Sequence, residues 1–280
     1  MTNLQLEVIN LANEGLTCAE ICRKLNKAVS TVSGILIKFK DQIKDRKYFY
    51  QNTINHEYFD IIDSDKKAYF LGFFIADGTI SKTSRRSIGR MGFCIQNDDS
   101  YILNSLSNEL NCPNKVYVRL NLKGAKCRKP QAILRWTSTH MLDTLMHKYK
   151  ILPNKTLDSD FIFDFKLIPG EFHGAFIRGF IDGDGCFEQH GHIFNPSIIG
   201  TSENWIKQVG DLISNKTGLV YKFYIHEGKT CNYYSLRWSA NRVNKKEKIN
   251  KLYHFLYDNA EIYLERKRNK ILAYLNTEVS

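Results

Sequence analysis

The chain has 280 residues, 43% of them hydrophobic, with 40 Lys and Arg against 29 Asp and Glu, a formal net charge of +11. That length holds two modest domains and a small third, and a cationic excess of this size favours a polyanionic partner, because Lys and Arg release the counterions condensed on phosphate. Seven cysteines, odd in number and without a CxxC pair, argue against a disulfide framework or a zinc site and for a reducing, intracellular compartment (a bacterial or phage-infected cytoplasm, or an organelle), while the absence of a signal peptide and of an apolar run of about 18 residues leaves no membrane to expect.

Residues 1–45 read as a separate helical module. Leu4 to Glu14 is apolar at helical spacing and closes at Gly15. Thr17 and Glu20 form a capping box that opens Cys18 to Leu25. After a short turn, Ser30 is expected to cap a third helix reaching about Lys40, with Val32, Ile35, Leu36 and Phe39 as its inward stripe. Three short helices with a tight second turn predict a helix-turn-helix, with a plain helical bundle as the alternative. Its outward face offers Thr31, Ser33, Lys38 and Lys40, which suit phosphates better than base edges. Asp41 to Lys47 is a charged stretch that opens a connector running to about His56, and residues 46–57 are the linker proper.

Beyond the linker the chain repeats itself. Tyr69 to Ile80 reads YFLGFFIADGTI and Ala175 to Phe187 reads AFIRGFIDGDGCF, and the two align on Asp77-Gly78 and Asp184-Gly185. A repeat of domain size predicts two similar half-domains. Gly72 and Gly179 sit mid-helix, where glycine costs about 0.5–1 kcal/mol relative to alanine. Each has a small residue four positions on, Ala76 or Gly183, so each helix presents a bare face that allows close backbone approach. Packed side by side, the helices would end together and bring Asp77 and Asp184 to one place.

Between and after the motifs the pattern alternates with period two. From Lys115 to Lys123, Lys115, Tyr117, Arg119, Asn121 and Lys123 share one face, and Val116, Val118, Leu120 and Leu122 the other. Lys222, Tyr224 and His226 alternate in the same way with Tyr221, Phe223 and Ile225. Outer faces this rich in cations and amides suit a nucleic-acid groove, although half-exposed strands alternate in any protein. Arg135 and Arg237 lie on strands that echo each other, LRWTS and LRWSA. Basic tips at Ser81 to Arg90, with Ser81, Arg85, Arg86 and Arg90, and at Lys123 to Lys129 would reach the ends of a target. His190 and His192 share a strand face and suit groove contact or solvent exposure better than metal. Helices are expected over Tyr101–Leu110, Met141–Tyr149, Trp205–Ser214 and Lys248–Asn276.

The paired motifs, together with the repeats that follow each, resemble the LAGLIDADG homing endonucleases in their single-chain form, over roughly Tyr58 to the end. The resemblance implies an α+β fold of two pseudo-symmetric αββαββα half-domains, 58–160 and 161–280, with saddle-like antiparallel sheets that straddle DNA. It implies a monomeric, site-specific double-strand DNA endonuclease that cuts across the minor groove and leaves short 3′ overhangs. The alternatives within the same fold are an intron RNA splicing maturase, with group I intron RNA as partner, and a DNA-binding regulator that does not cleave. Phosphodiester hydrolysis needs an activated water and charge neutralisation, which two or three metal ions held by carboxylates supply. Asp77 and Asp184 are the acids in matched positions, and the terminal carbonyls of Ala76 and Gly183 are free to join them. Such hard oxygens suit Mg²⁺, with Mn²⁺ as a substitute. The resemblance further points to Lys155 and Lys267 beside the scissile phosphates, with Arg266 and Arg268 flanking the second. It also points to Asn97 (or its neighbour Gln96) and Thr201 as organisers of water, and leaves Asp182 out of the site.

Overall fold

The computed structural model describes residues 1–16, 18–43, 54–83, 86–112, 116–120, 129–155, 158–190, 193–228, 230–238 and 244–277, with backbone alone at residues 19, 82, 83, 86–88 and 190. Two compact units emerge, Met1–Ile54 and Asn55–Ser280.

The first unit holds α1 (Asn3–Asn13), α2 (Cys18–Leu25) and α3 (Val29–Lys38). Thr2 caps α1 reciprocally: its hydroxyl accepts from the Gln5 amide at 3.3 Å, and its own amide donates to Gln5 Oε1 at 2.8 Å. Such a box satisfies two orphan donors of the first turn. Gly15, at φ +94°, lets the chain turn away where a side chain would be strained. Val8, Ile9, Leu11, Ala12, Ile21, Val32, Leu36 and Ile43 form the core, with Ile35 and Phe39 packed against it. The expected cap of α3 is corrected: the helix begins at Val29, and its N-cap, Ala28, offers no side-chain bond. Ser30 is already inside the first turn, where its carbonyl accepts from Ser33 Oγ at 3.4 Å. The box expected from Thr17 lies outside the described residues, as does most of the linker.

The second unit repeats one plan. α4 (Asp65–Asp77), β1 (Thr79–Thr83), β2 (Arg86–Gln96), α5 (Ser100–Glu109), β3 (Tyr117–Arg119), β4 (Gln131–Thr137) and α6 (Thr139–Asp143, continued by a π turn over Thr144–Lys148) make the first half. The second comprises α7 (His173–Asp184), β5 (Gly185–His190), β6 (Ile193–Gly200), α8 (Glu203–Thr217), β7 (Tyr221–His226), β8 (Tyr233–Trp238) and α9 (Lys245–Tyr257), followed by α10 (Glu265–Asn276). Both sheets are antiparallel with the same order, β1-β2-β4-β3 and β5-β6-β8-β7. The fold is thus α+β, two αββαββα halves. Among the described residues no helix is long and apolar enough to cross a membrane.

Glycine geometry sets the contact at the centre. A Cβ on Gly72 would clash with the carbonyl oxygen of Phe176, and one on Gly179 with the carbonyl oxygen of Tyr69 and, at 2.8 Å, the amide of Phe73. α4 and α7 therefore meet backbone to backbone, and both run into their Asp-Gly ends together.

Two expectations fail. The long helix over Lys248–Asn276 is two helices, because Asp258 ends α9 in an extended conformation and Asn259 turns at φ 58°. The apolar face of Lys115–Lys123 does not pack as predicted: β3 has three residues, Val118 is 49% exposed and Leu120 74%. Among the described residues β3 pairs with β4 alone, at the edge of its sheet. Lys115, Asn121, Leu122 and Lys123 lie outside the described residues.

Candidate active site

Asp77 and Asp184 close α4 and α7 and lie side by side. A Cβ built on Gly183 would stand 3.3 Å from Asp77 Oδ2 and would overlap the Ala76 methyl. Only a bare α-carbon lets the carboxylates come so close. Burial raises the Asp77 pKa, against the pull of Lys155, Lys267 and Arg266. Asp184 is pushed up to about 6, first by burial and then by the Asp77 charge. Two buried, crowded carboxylates are a place where added positive charge would be stabilised.

The two lysines sit beneath them in matching roles. Lys155 Nζ donates to the Phe74 carbonyl at 2.9 Å and also to those of Ile75 and Ala76. Lys267 Nζ donates to Ile181 at 2.6 Å, Asp182 at 2.7 Å and Gly185 at 2.7 Å. Each ammonium thus completes a helix C-terminus, where unpaired carbonyls concentrate negative potential. Burial lowers both lysines to about 8; Asp184 and Asp77 oppose the shift at Lys155, and chiefly Asp182 does so at Lys267. The Ala76 carbonyl, expected as a metal ligand, is shared with Lys155, which leaves it one lone pair.

Around the pair the sides differ. Lys155, Asp184, Ala76 and Thr201 line one cavity of about 90 Å³ with Asp158 and the rings of Phe161, Phe180 and Trp205. On the other side, Asn97 opens a 3₁₀ turn ending at buried Asp99, to which Arg266 binds. Gln96, the alternative to Asn97, is exposed at the end of β2.

Asp182 points away from the pair. Its Oδ2 accepts from Tyr69 Oη at 2.9 Å and from the Leu264 amide at 2.7 Å, and burial pushes its pKa up to about 6. Nearby Arg178 is 1% exposed and donates to the Ile262 carbonyl at 2.9 Å, to that of Leu256 at 2.5 Å and to Asp65 Oδ1 at 2.5 Å. Sequence reading missed this clamp across the halves. A charge inside an otherwise apolar motif helix was the available signal.

On sheet one, Ser81, Arg90, Arg119, Arg135 and Tyr117 are exposed, and Arg119 donates to Gln131 Oε1 across the strands. On sheet two, Lys222, Tyr224 and Arg237 are exposed. His226 bonds Ser235 Oγ at 2.8 Å and stacks on Tyr233 with ring centroids 4.6 Å apart. Glu188 lies on this outer face and faces Arg237 at 3.9 Å, so the face is not purely cationic. Arg85, His192 and the side chains of Arg86 and His190 lie outside the described residues. In the first unit Thr31, Lys38 and Lys40 are exposed and Ser33 half-buried.

Residues 171–254 match the LAGLIDADG-like domain family, from just before α7 into α9. No curated protein matches the chain. Among solved structures it is similar to the homing endonuclease I-WcaI bound to its DNA recognition sequence, at 14% identity and TM-score 0.48, over 77% of this chain and 90% of that one. It is also similar to the LAGLIDADG meganuclease I-AabMI bound to uncleaved DNA, at 14% identity and TM-score 0.42, over 74% and 88%. A third likeness is to I-DmoI in complex with DNA and Mn, at 17% identity and TM-score 0.42, over 71% and 98%.

Proposed function

We propose that this chain, whose second half carries a LAGLIDADG-like domain, is a site-specific double-strand DNA endonuclease of the homing type that hydrolyses phosphodiesters with divalent metal ions. The observation that carries the reading is the pair Asp77 and Asp184, pressed together at the ends of two glycine-packed helices with a lysine under each. The donor set fits the ion: carboxylates and terminal carbonyls are hard oxygens suited to Mg²⁺, with Mn²⁺ able to substitute. Asp77, Asp184 and the carbonyls of Ala76 and Gly183 would hold it. Bound there, it would lower the pKa of water and neutralise charge on the scissile phosphate.

This chain's own groups do the rest. Lys155 and Lys267, each held by three carbonyls at a helix end, would keep positive charge near the reacting phosphates. Thr201, in the cavity with Lys155 and Asp184, and Asn97, near Asp99, orient water. The two outer sheet faces would carry the duplex through Arg90, Arg119, Arg135, Lys222, Tyr224 and Arg237, and cleavage across the minor groove would leave short 3′ overhangs. The helical first unit would anchor flanking DNA by phosphate contacts. Both carboxylates come from one chain, so a monomer suffices, and the scattered cysteines suit a reducing intracellular setting.

The test is incubation of the protein with a randomised duplex library in Mg²⁺ or EDTA, followed by sequencing of cut ends. Mg²⁺-dependent enrichment of one long site with 3′ overhangs is expected. Tight, selective binding without cutting in Mg²⁺ or Mn²⁺ would leave a non-cleaving regulator or a splicing factor for intron RNA.

A further inference from the structure

The two sides of the carboxylate pair are not equivalent: one has a fixed cation where the other has an acid. Superposing the roles of Lys155 and Lys267 sets Arg266 against Asn154, and the turn Asn97–Asp99 against Thr201–Glu203. On the Asp77 side Arg266 Nε reaches Asp99 Oδ2 at 3.1 Å and Oδ1 at 3.4 Å. The Asp99 side chain is only 9% exposed, whereas that of Arg266 is 52% exposed. The carboxylate is thus a buried anchor and the guanidinium a partly solvated head. Among the described residues the two Nη groups of Arg266 have no protein partner. On the Asp184 side Asn154 carries no charge, and Glu203 is taken by Lys207 of its own helix at 2.5 Å. The cavity there gains an acid, Asp158, instead. The turn Asn97–Asp99 follows β2, which pairs with β1, the strand that leaves Asp77, so Arg266 is anchored on the Asp77 side.

We propose that Arg266, tethered through Nε to Asp99, is a phosphate-binding residue of the Asp77 side alone, so that the two strands of a bound duplex are cut at unequal rates with the Asp77-side strand first. The inference rests on the endonuclease reading. A guanidinium fixed at one nitrogen still offers a planar pair of donors to a phosphate. Donors fixed in advance where charge develops lower the barrier without reorganisation at the moment of reaction. Lysine in that place would supply charge without the fork.

The experiment uses a target enriched from the duplex library, with a different fluorophore on each strand, and follows each strand under single turnover in Mg²⁺. The parent is expected to accumulate a nicked intermediate cut in one strand. Arg266→Ala should slow that strand about tenfold or more and leave the other within about twofold, removing or inverting the bias. Arg266→Lys should recover part of the rate. Arg266→Gln, which retains a donor for Asp99, guards against loss of fold and should behave like Arg266→Ala. Equal slowing of both strands, or no slowing, would overturn the inference while leaving an endonuclease in place. A parent that cuts neither strand would sink both the inference and the reading beneath it.

Discussion

The ends of α4 and α7 invite comparison, because the chain builds nearly the same object twice. Each helix has a glycine that admits the other's backbone, a small residue one turn later, a closing aspartate and a lysine capping its last carbonyls. What surrounds them is different. α7 carries Asp182 where α4 has Ile75, and Arg178 where α4 has Leu71, so the second half holds a buried polar clamp that the first lacks. Beside Asp77 stands the Arg266–Asp99 pair, and beside Asp184 the cavity with Asp158 and Thr201. The features that repeat are those that the meeting of two backbones and two carboxylates requires. The features that differ set charge around that meeting, and charge can vary without breaking the packing.

The repeated part should be equally intolerant in both halves. Gly72→Leu and Gly179→Leu each drive a side chain into a backbone carbonyl, which cannot swing aside as a side-chain tip can. Each should cost about 3 kcal/mol or more, at or beyond the upper end for overpacking. Urea denaturation checks the stability loss, and Lys216→Leu on the exposed end of α8 should cost under about 0.5 kcal/mol. A large loss at one glycine and none at the other would break the pseudo-symmetry of the helix pair.

The clamp, which ties Arg178 and Asp182 of the second half to Asp65 and Tyr69 of the first, has no counterpart at the matching positions Leu71 and Ile75. Removing one partner of a buried pair leaves the other charge stranded, at about 3–5 kcal/mol. Asp65→Ala would do that to Arg178, which is held also by two carbonyls, so about 2 kcal/mol is expected. Ile75→Val, at the position that Asp182 occupies in the other half, should cost about 1 kcal/mol. The same urea measurement decides whether polar clamping or plain packing dominates.

Charge at the pair gives a smaller, pH-dependent effect. Below about pH 3 the Asp184 carboxyl is mostly neutral whether folded or not. Between its ordinary value of 3.8 and about 6, the folded chain keeps a proton that the unfolded chain has released. Stability from this group therefore falls as pH rises through that window, and the loss persists above it. Asp184→Asn should raise the Tm of the metal-free protein by a few degrees at pH 8, at about 2–4 °C per kcal/mol, and change it little at about pH 3. A Tm gain that is the same at both pH values would remove the buried Asp184 charge as its cause.

Legibility followed the same division. The helix pair was readable because Gly72-x-x-x-Ala76 and Gly179-x-x-x-Gly183 make sense only as a close backbone contact, and the repeat located both halves. The strand over Lys115–Lys123 was misread because alternation reports pleating, not what lies against either face, and β3 is an edge. The break in Lys248–Asn276 turned on Asn259 adopting a left-handed conformation, which polar composition alone does not announce. The cap of α3 slipped because the turn before it places Ser30 inside the helix. Arg178 and Asp182 stood in plain view in the motif, but their partners, Asp65, Tyr69 and the Leu264 amide, lie some 80 to 113 residues away in sequence.

Cleavage by Asp77→Asn and Asp184→Asn, each assayed on the selected target in Mg²⁺ with both strands followed separately, bears most directly on a site shared between the halves. Asparagine keeps the shape and removes the charge, so DNA binding should persist. Cutting of both strands should fall by more than the about 10–100-fold that a change beside a metal ligand produces. If either variant lost only one strand, the carboxylates would serve separate sites, and if either still cut both strands at the parental rate, that carboxylate would hold no catalytic metal.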